Sequence, residues 1–172
     1  MPNPTPSIPG DRALKLLACA LLLAATTATA ARAARADTAA ALDAFKGLQG
    51  RWAIHSNGKT LAIEMVYDIG SKGSIVTEQF GKELSVFYRD GESLVMTHFC
   101  NAGNQPRLRL KQGSAGGRFE FETFDVTNLA GPSAPHVQRI IYKMVDERHV
   151  ELEIVWKNGE AQNSENYTLV RI

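Results

Sequence analysis

Apolar and polar residues alternate along most of the chain, in runs that end at glycine-containing turns about ten residues apart. Phe119 and Phe121 alternate with charged residues, and Leu152 and Ile154 alternate with glutamates. A period of two is that of a half-buried β-strand, and regularly spaced turns are typical of a sandwich or a barrel. The pattern predicts about ten strands. They cover residues 51–56, 61–68, 75–80, 84–89, 92–96, 107–111, 118–124, 137–145, 150–157 and 167–172.

One helix precedes these strands. Asp37 can cap a helix that runs through residues 39–46 and ends at Gly47 or Gly50. No second helical pattern interrupts the strands, which excludes a parallel sheet built from βαβ units, and short turns such as the Asp-Gly at 90–91 favour an antiparallel meander. A meander protects its edge strands by closing on itself. The sequence therefore predicts a mainly β fold, an antiparallel up-and-down β-barrel of about ten strands with one short N-terminal helix.

Residues 1–36 have the organisation of a secretory signal peptide, and residues 37–172 form the predicted barrel domain. Basic residues precede a short apolar run, and small residues follow in A-x-A tripeptides. The apolar run is too short to span a bilayer, so no stable membrane span is expected. Cleavage could follow Ala30, Ala33 or Ala36, and Ala36 is favoured because the predicted helix begins directly after it. The protein is therefore expected to be secreted, in the periplasm.

Charge and cysteine content narrow the function classes. The chain has 19 Lys and Arg against 18 Asp and Glu, and loss of residues 1–36 would leave 15 basic and 17 acidic residues. Nucleic-acid binding requires a basic face, so nucleic acid is not an expected partner. Cys100 would be the remaining cysteine, which excludes an intramolecular disulfide. The oligomeric state is left open by the sequence.

The candidate functional site is the segment 97–107, which follows a predicted strand. Its candidate ligand-binding side chains are His98, Cys100, Asn104, Gln105 and Arg107. A turn needs only Gly, Asn or Pro to set its dihedral angles, and these side chains go beyond that need. Arg107, and Arg139 on a later strand, could hold a carboxylate or phosphate head group because a planar guanidinium matches two oxygens. The structural alternative is that the amides bond their own loop and the arginines are exposed.

Several predicted strands mix polar and apolar residues on both faces. Arg139 lies on an otherwise apolar face of the strand 137–145, and Glu78 interrupts the strand 75–80. A filled barrel gives cleaner alternation, and barrels of this size can enclose one small ligand. The sequence therefore predicts a barrel that binds a small apolar or amphipathic molecule. A filled barrel that binds another protein is the alternative.

Catalysis and metal binding are further alternatives at the segment 97–107. His98 and Cys100 are two residues apart, so they project to the same face of a strand. With a ligand from a neighbouring strand they could hold a transition metal, or they could act with Arg107 as a small hydrolase or isomerase at the barrel mouth. Haem could bind through a barrel histidine, with candidates His55, His98, His136 and His149. Binding is favoured over catalysis, and no catalytic residue, metal or cofactor is assigned, because no complete ligand set or catalytic set is present.

Two motifs resemble known families. Gly50-Arg51-Trp52 at the first strand resembles the start of the calycin barrels, the lipocalins and fatty-acid-binding proteins. This resemblance implies that Trp52 closes the barrel bottom and that Arg171 packs over it. The segment 97–107 is similar to the motif T-H-Y/F-C-x-x-G-N-Q-P-R of a group of secreted bacterial lipocalin-like proteins, and residues 125–128 resemble a second motif of that group. Membership in this group of lipocalin-like proteins would not identify an activity. The lipocalin disulfides are missing, and about ten strands suit the fatty-acid-binding branch better than an eight-stranded lipocalin.

Overall fold

A computed structural model describes residues 37–111 and 116–172. These residues form one helix, α1, at 37–46, a 3-10 turn at Ser71–Gly73 and ten β-strands. The strands are β1 (Gly50–Ser56), β2 (Lys59–Gly70), β3 (Ile75–Phe80), β4 (Glu83–Asp90), β5 (Ser93–Phe99), β6 (Gln105–Leu110), β7 (Arg118–Thr127), β8 (His136–Met144), β9 (His149–Asn158) and β10 (Ala161–Arg171). The predicted mainly β fold with one short helix before the first strand is confirmed. The predicted signal peptide, residues 1–36, lies outside the described residues.

The ten strands close into a barrel in which every pair of neighbours is antiparallel. Consecutive strands pair along the chain, and β10 pairs with β1 to complete the circle, with Arg171 opposite Trp52. The predicted up-and-down barrel is confirmed. Closure gives each strand two hydrogen-bonded neighbours and so protects the backbone groups that an open sheet would expose. None of the helices in the described ranges has the length and apolar character needed to cross a membrane.

Helix α1 covers one end of the barrel, which we call the helix end. Its Phe45 is fully buried and stacks on Phe87 with ring centroids 4.5 Å apart. Further aromatic rings surround Phe45 edge-on, namely those of Phe119, Phe121 and Tyr142. The helix also buries Leu42, and its start is held by the Thr38 hydroxyl, which donates to the Glu92 carbonyl at 2.6 Å. The half of the interior next to α1 is therefore filled by apolar side chains.

The seal between Trp52 and Arg171, implied by the calycin resemblance, is present at the helix end. The Arg171 guanidinium lies 4.3 Å from the centre of the Trp52 ring. It donates hydrogen bonds to the carbonyls of Gly47 at 2.6 Å and Gln49 at 2.8 Å, which tie the last strand to the segment after α1. The Trp52 indole donates to the Leu48 carbonyl at 2.8 Å. Such a barrel is compatible with a calycin-like fold.

The opposite end of the barrel, which we call the open end, is formed by the turns that join β1 to β2, β3 to β4, β5 to β6, β7 to β8 and β9 to β10. The candidate segment 97–107 lies at this end, because β5 runs from the helix end towards it. The Asn104 side chain donates to the Pro135 carbonyl at 2.8 Å and so ties the turn at 100–104 to the longer connection at 128–135. The open end therefore carries the predicted chemistry, and the helix end carries the seal.

Candidate functional site

A row of buried polar side chains crosses four neighbouring strands inside the barrel. Tyr67 on β2 lies opposite Glu78 on β3, Glu78 lies opposite Ser85 on β4, and Ser85 lies opposite His98 on β5. Residues directly opposite each other on paired strands project to the same face of the sheet. All four side chains are buried, so that face is the interior. We call Tyr67, Glu78, Ser85 and His98 the polar row.

Glu78 is the centre of a hydrogen-bond network in this row. Its carboxylate accepts from the Tyr67 hydroxyl at 2.7 Å and from the Tyr142 hydroxyl at 2.9 Å. Burial raises the pKa of Glu78 because the charged form loses its hydration, while hydrogen bonds from Tyr67, Tyr142 and Ser85 act in the opposite direction. Burial and the neighbouring Glu78 charge raise the pKa of both tyrosines well above the ordinary value. The network therefore joins β2, β3, β4 and β8 through one carboxyl group.

His98 connects the polar row to the open end. Its Nδ1 lies 3.1 Å from the Ser85 hydroxyl, and its Nε2 lies 3.9 Å from a carboxylate oxygen of Glu83. Burial lowers the pKa of His98 because it penalises the charged ring, and the Glu83 charge acts in the opposite direction. One ring nitrogen is thus engaged in the interior, while the other faces Glu83.

Glu83, His98 and Cys100 form a compact group at the open end, which we call the mouth cluster. One possible ligand atom from each residue lies within 4.8 Å of the others. The Asn101 N–H donates to the Glu83 carboxylate at 2.9 Å, and the Ala102 N–H donates to the Cys100 sulfur at 3.3 Å. Two backbone amides of one turn therefore hold two of the three side chains. The spacing of His98 and Cys100 predicted their common face, and Glu83 is the neighbouring-strand partner that sequence reasoning lacked.

The tight turn after β5 positions Cys100 and its two donor amides. The Cys100 N–H donates to the Asn104 carbonyl at 3.1 Å, and the Gly103 N–H donates back to the Cys100 carbonyl at 3.0 Å. Gly103 has a φ of 81°, a conformation that side-chain-bearing residues adopt rarely. Burial raises the pKa of the Cys100 thiol, which disfavours the thiolate that a cysteine nucleophile requires. The cysteine-hydrolase alternative therefore gains no support from this environment.

Asn104 and Gln105 stabilise the loops of the open end. Asn104 is buried, and none of the described side chains or backbone groups bonds its Oδ1. The Gln105 side chain donates to the Gly103 carbonyl at 3.3 Å and accepts from the Asn128 amide at 2.7 Å. These contacts agree with the structural interpretation of the two amides, since they join the turn after β5 to the connection after β7.

Arg107 and Arg139 lie on the outer face of the barrel. Arg107 is opposite Thr97, one residue from the inward-facing His98, and its guanidinium lies 4.9 Å from the Phe124 ring centre. Arg139 lies opposite Glu122, and its Nη1 is 3.9 Å from a Glu120 oxygen. Register shifts occur beside both arginines, in β6 and in β8. The structure therefore brings His98 and Cys100 together. Both arginines lie on the outer face, so neither faces the interior of the barrel.

The other histidines lie apart from the mouth cluster and have local partners. His55 lies 3.0 Å from the Thr60 hydroxyl, His136 lies 2.9 Å from the Ala134 carbonyl, and His149 lies 2.9 Å from the Asp146 carboxylate. A surface pocket of about 760 Å³ is also present, and it is lined by the turn between β1 and β2 and by residues of β1, β7, β8, β9 and β10. Its charged lining includes an ion pair between Lys143 and Glu151 at 2.8 Å. Neither feature adds a residue to the interior site.

Sequence reasoning missed most of the polar row and the third member of the mouth cluster. The sequence pattern marks Glu78 only as an interruption of a strand, and it does not distinguish Ser85 and Glu83 from other strand residues. Their signal is alternation, because Glu83, Ser85 and the buried Phe87 are two residues apart and share one face of β4. Comparison with known proteins gives no further assignment, since the chain matches no protein-family model and no curated protein.

Proposed function

We propose that this protein is a ligand-binding barrel that takes up a small amphipathic molecule through its open end. The observation that carries this proposal is the incomplete burial of apolar side chains that line the interior towards that end. Leu61, Phe80, Trp156 and Tyr167 contact the core but are only half-buried. At the helix end, by contrast, Phe45 and Phe87 are fully buried. Apolar and aromatic side chains that are left half-buried at one end of a barrel are of the kind that lines small-molecule sites.

Trp156 supplies a polar group for such a ligand. Its indole nitrogen is buried, and no group within the described ranges accepts its hydrogen bond. A buried N–H without an acceptor costs about 1–3 kcal/mol. An oxygen or nitrogen of a bound molecule can accept this hydrogen bond and recover that free energy, which favours a ligand with a polar atom next to its apolar part.

The charges of the interior favour a neutral or cationic head group over an anionic one. The buried polar and charged residues among those described include Glu78 and His98 but neither lysine nor arginine. Glu83 adds a second carboxyl group beside His98. Burial, together with Glu165 and Glu83, raises the pKa of Tyr167 to about 12, so its hydroxyl stays protonated and donates to the Glu165 carboxylate at 2.9 Å. A carboxylate head group would meet like charge and would find no basic partner.

We place this barrel among the secreted calycin-like proteins as part of the same proposal. The seal between Trp52 and Arg171 supports a calycin-like barrel. The motif at 97–107 supports the finer assignment to the secreted lipocalin-like group, and the features of residues 1–36 support export. A periplasmic carrier or sensor of a small amphipathic molecule is the function that these observations favour.

The test is displacement of a fluorescent apolar probe by dodecylamine, dodecanol and dodecanoate. We expect the amine and the alcohol to bind at least about tenfold more tightly than the acid, a difference of about 1.4 kcal/mol. Trp156→Phe keeps the ring and removes the N–H. It should weaken binding of the alcohol by about two- to tenfold, the value of one net hydrogen bond.

Arg107→Ala is the matched control, because this side chain lies on the outer face and should leave all three affinities unchanged. A selective loss of dodecanoate binding in Arg107→Ala would move the head group to the outer face. Absence of probe binding, or equal affinities for the three head groups together with no effect of Trp156→Phe, would contradict the proposal.

A further inference from the structure

We propose that Glu83, His98 and Cys100 bind a divalent transition metal ion, with Zn²⁺ as the best fit. The three side chains offer a carboxylate oxygen, an imidazole nitrogen and a sulfur within 4.8 Å of one another. Bonds of about 2.0–2.3 Å to a tetrahedral Zn²⁺ place its donors about 3.3–3.8 Å apart. The present separation of 3.9 Å between His98 Nε2 and Glu83 Oε1 is close to that range, so small side-chain rotations complete the geometry.

The surroundings of the mouth cluster orient its donors as the outer shell of a metal site does. A histidine that binds a metal through one ring nitrogen donates its other N–H to a nearby acceptor. The Ser85 hydroxyl, 3.1 Å from His98 Nδ1, can take that role and leaves Nε2 facing Glu83. Backbone amides point at the other two donors, from Asn101 to Glu83 and from Ala102 to Cys100. Each of the three donors therefore has a partner that fixes its position.

The donor set selects the class of metal. Mg²⁺ and Ca²⁺ prefer oxygen ligands, whereas a sulfur and an imidazole together favour Zn²⁺ and similar transition metals. On binding, the S–H bond of Cys100 breaks, a sulfur–metal bond forms, and the proton leaves to solvent. Three protein donors leave a further coordination position, which a water molecule or a donor atom of a ligand can take.

The experiment uses the full chain carrying Cys19→Ser, so that Cys100 is the remaining thiol. We expect one equivalent of Co²⁺ to bind with a thiolate-to-cobalt charge-transfer absorption and to be displaced by Zn²⁺. Glu83→Gln, His98→Asn and Cys100→Ser should each weaken Zn²⁺ binding by about 100-fold or more. Ser85→Ala should weaken it by about tenfold, the lower end of the range for an outer-shell partner.

His136→Asn is the matched control, because His136 is buried but bonds the Ala134 carbonyl instead of the cluster. It should leave Zn²⁺ affinity unchanged. Protection of Cys100 from a thiol reagent by Zn²⁺ gives a second readout that needs no change within the cluster. Co²⁺ binding without the charge-transfer band, or absence of protection by Zn²⁺, would overturn the proposal.

The metal site goes beyond the ligand-binding function, and the two proposals can fail separately. The metal titrations contain no organic ligand, and the probe displacements are run on chelator-treated protein. If the protein does not bind the amphiphiles, the result of the metal titration is unaffected. If it does not bind a metal, the result of the probe displacement is unaffected.

Discussion

The environment of Glu78 depends on residues from distant parts of the chain. Its hydrogen-bond donor Tyr67 comes from the adjacent strand β2, whereas Tyr142 comes from β8, which lies across the barrel from β3. Burial raises its pKa above the ordinary value of 4.5. A carboxyl group that binds its proton more tightly in the folded state makes stability depend on pH.

We expect Glu78→Gln to change how the free energy of unfolding varies with pH. The folded protein holds the Glu78 proton more tightly than the unfolded chain. Stability should therefore fall as the pH rises from about 4.5, its ordinary pKa, through the raised folded-state pKa, and level off above it. The Gln variant should lack this decline. Urea unfolding over a pH series measures the slope.

Glu151→Gln is the control for that slope, because Glu151 is an exposed carboxyl group paired with Lys143 on the outer face. This change should leave the decline in place. An unchanged slope in Glu78→Gln would show that the Glu78 proton does not contribute to the pH dependence of folding.

A second prediction at the scale of residues concerns the contact between Trp52 and Arg171. Trp52→Ala should lower the free energy of unfolding by about 3–5 kcal/mol, since it deletes a fully buried large aromatic side chain. Arg171→Ala should lower the free energy of unfolding by less than Trp52→Ala does. The double variant should be less destabilised than the sum by about 0.5–3 kcal/mol, because each change already removes the shared contact. Urea unfolding of the four proteins measures the coupling.

Trp52→Ala combined with Lys143→Ala is the reference pair, because Lys143 pairs with Glu151 on the outer face and these changes should add. If the changes in the free energy of unfolding for Trp52→Ala and Arg171→Ala also add, the contact between these two residues contributes no coupling energy.

At the scale of elements, α1 acts as the plug of the helix end. Its Phe45 is surrounded by aromatic rings from β4, β7 and β8. An isolated helix of this length is marginal in water, so its stability comes from this packing. The rings that Phe45 contacts include Phe119 and Phe121, whose alternation with charged residues predicted a half-buried strand.

We expect Phe45→Ala to lower the free energy of unfolding by about 3–5 kcal/mol, since a large aromatic side chain is removed from a filled interior. The cavity left behind should also bind small apolar molecules at the helix end. Lys46→Ala is the control, because the Lys46 side chain pairs with Asp43 at the surface and its removal should cost less than about 1 kcal/mol. Equal effects of the two changes in urea unfolding would contradict the plug.

At the scale of the whole molecule, the barrel has a filled half at the helix end and, towards the open end, a half that contains polar groups and half-buried apolar side chains. Aromatic side chains occupy the helix end, and the polar row leads from the interior to the mouth cluster at the open end. The division follows the direction of the strands, because the turn after β5 and the turn before β4 both lie at the open end. The mouth cluster and the contact between Trp52 and Arg171 thus lie at opposite ends of the barrel.

Export is the prediction that concerns the chain as a whole, and we propose it from residues 1–36. Protein purified from the cells that produce it should begin between Ala31 and Asp37, because signal peptidase cleaves after the small residues of an A-x-A tripeptide. N-terminal sequencing measures the start. An intact Met1 on protein inside the cell would contradict export, and a lipidated Cys19 would instead indicate a membrane anchor.

The sequence alone was sufficient for the fold, because the signals for strands and turns are local. Alternation with a period of two does not require knowledge of partners, and it located all ten strands. It placed the start of β10 at residue 167, whereas the strand begins at Ala161. Residues 161–166 are exposed on both faces, and β1 pairs only with the part of β10 from Thr168 onwards, so this part of the strand carries no alternation.

The site was predicted only in part, because it depends on strand register and on closure. The common face of His98 and Cys100 follows from their spacing, and the end of the barrel that they occupy follows from strand order. The addition of Glu83 requires the register of the β4–β5 pair, because the Asp-Gly turn at 90–91 predicts that the two strands pair but not which side chains come together at their far end. Register also decided that Arg107 and Arg139 point outwards, since a shift of one residue exchanges the two faces of a strand. Chain-local periodicity thus predicted the strands of the barrel, whereas strand register and closure decided which side chains meet inside it.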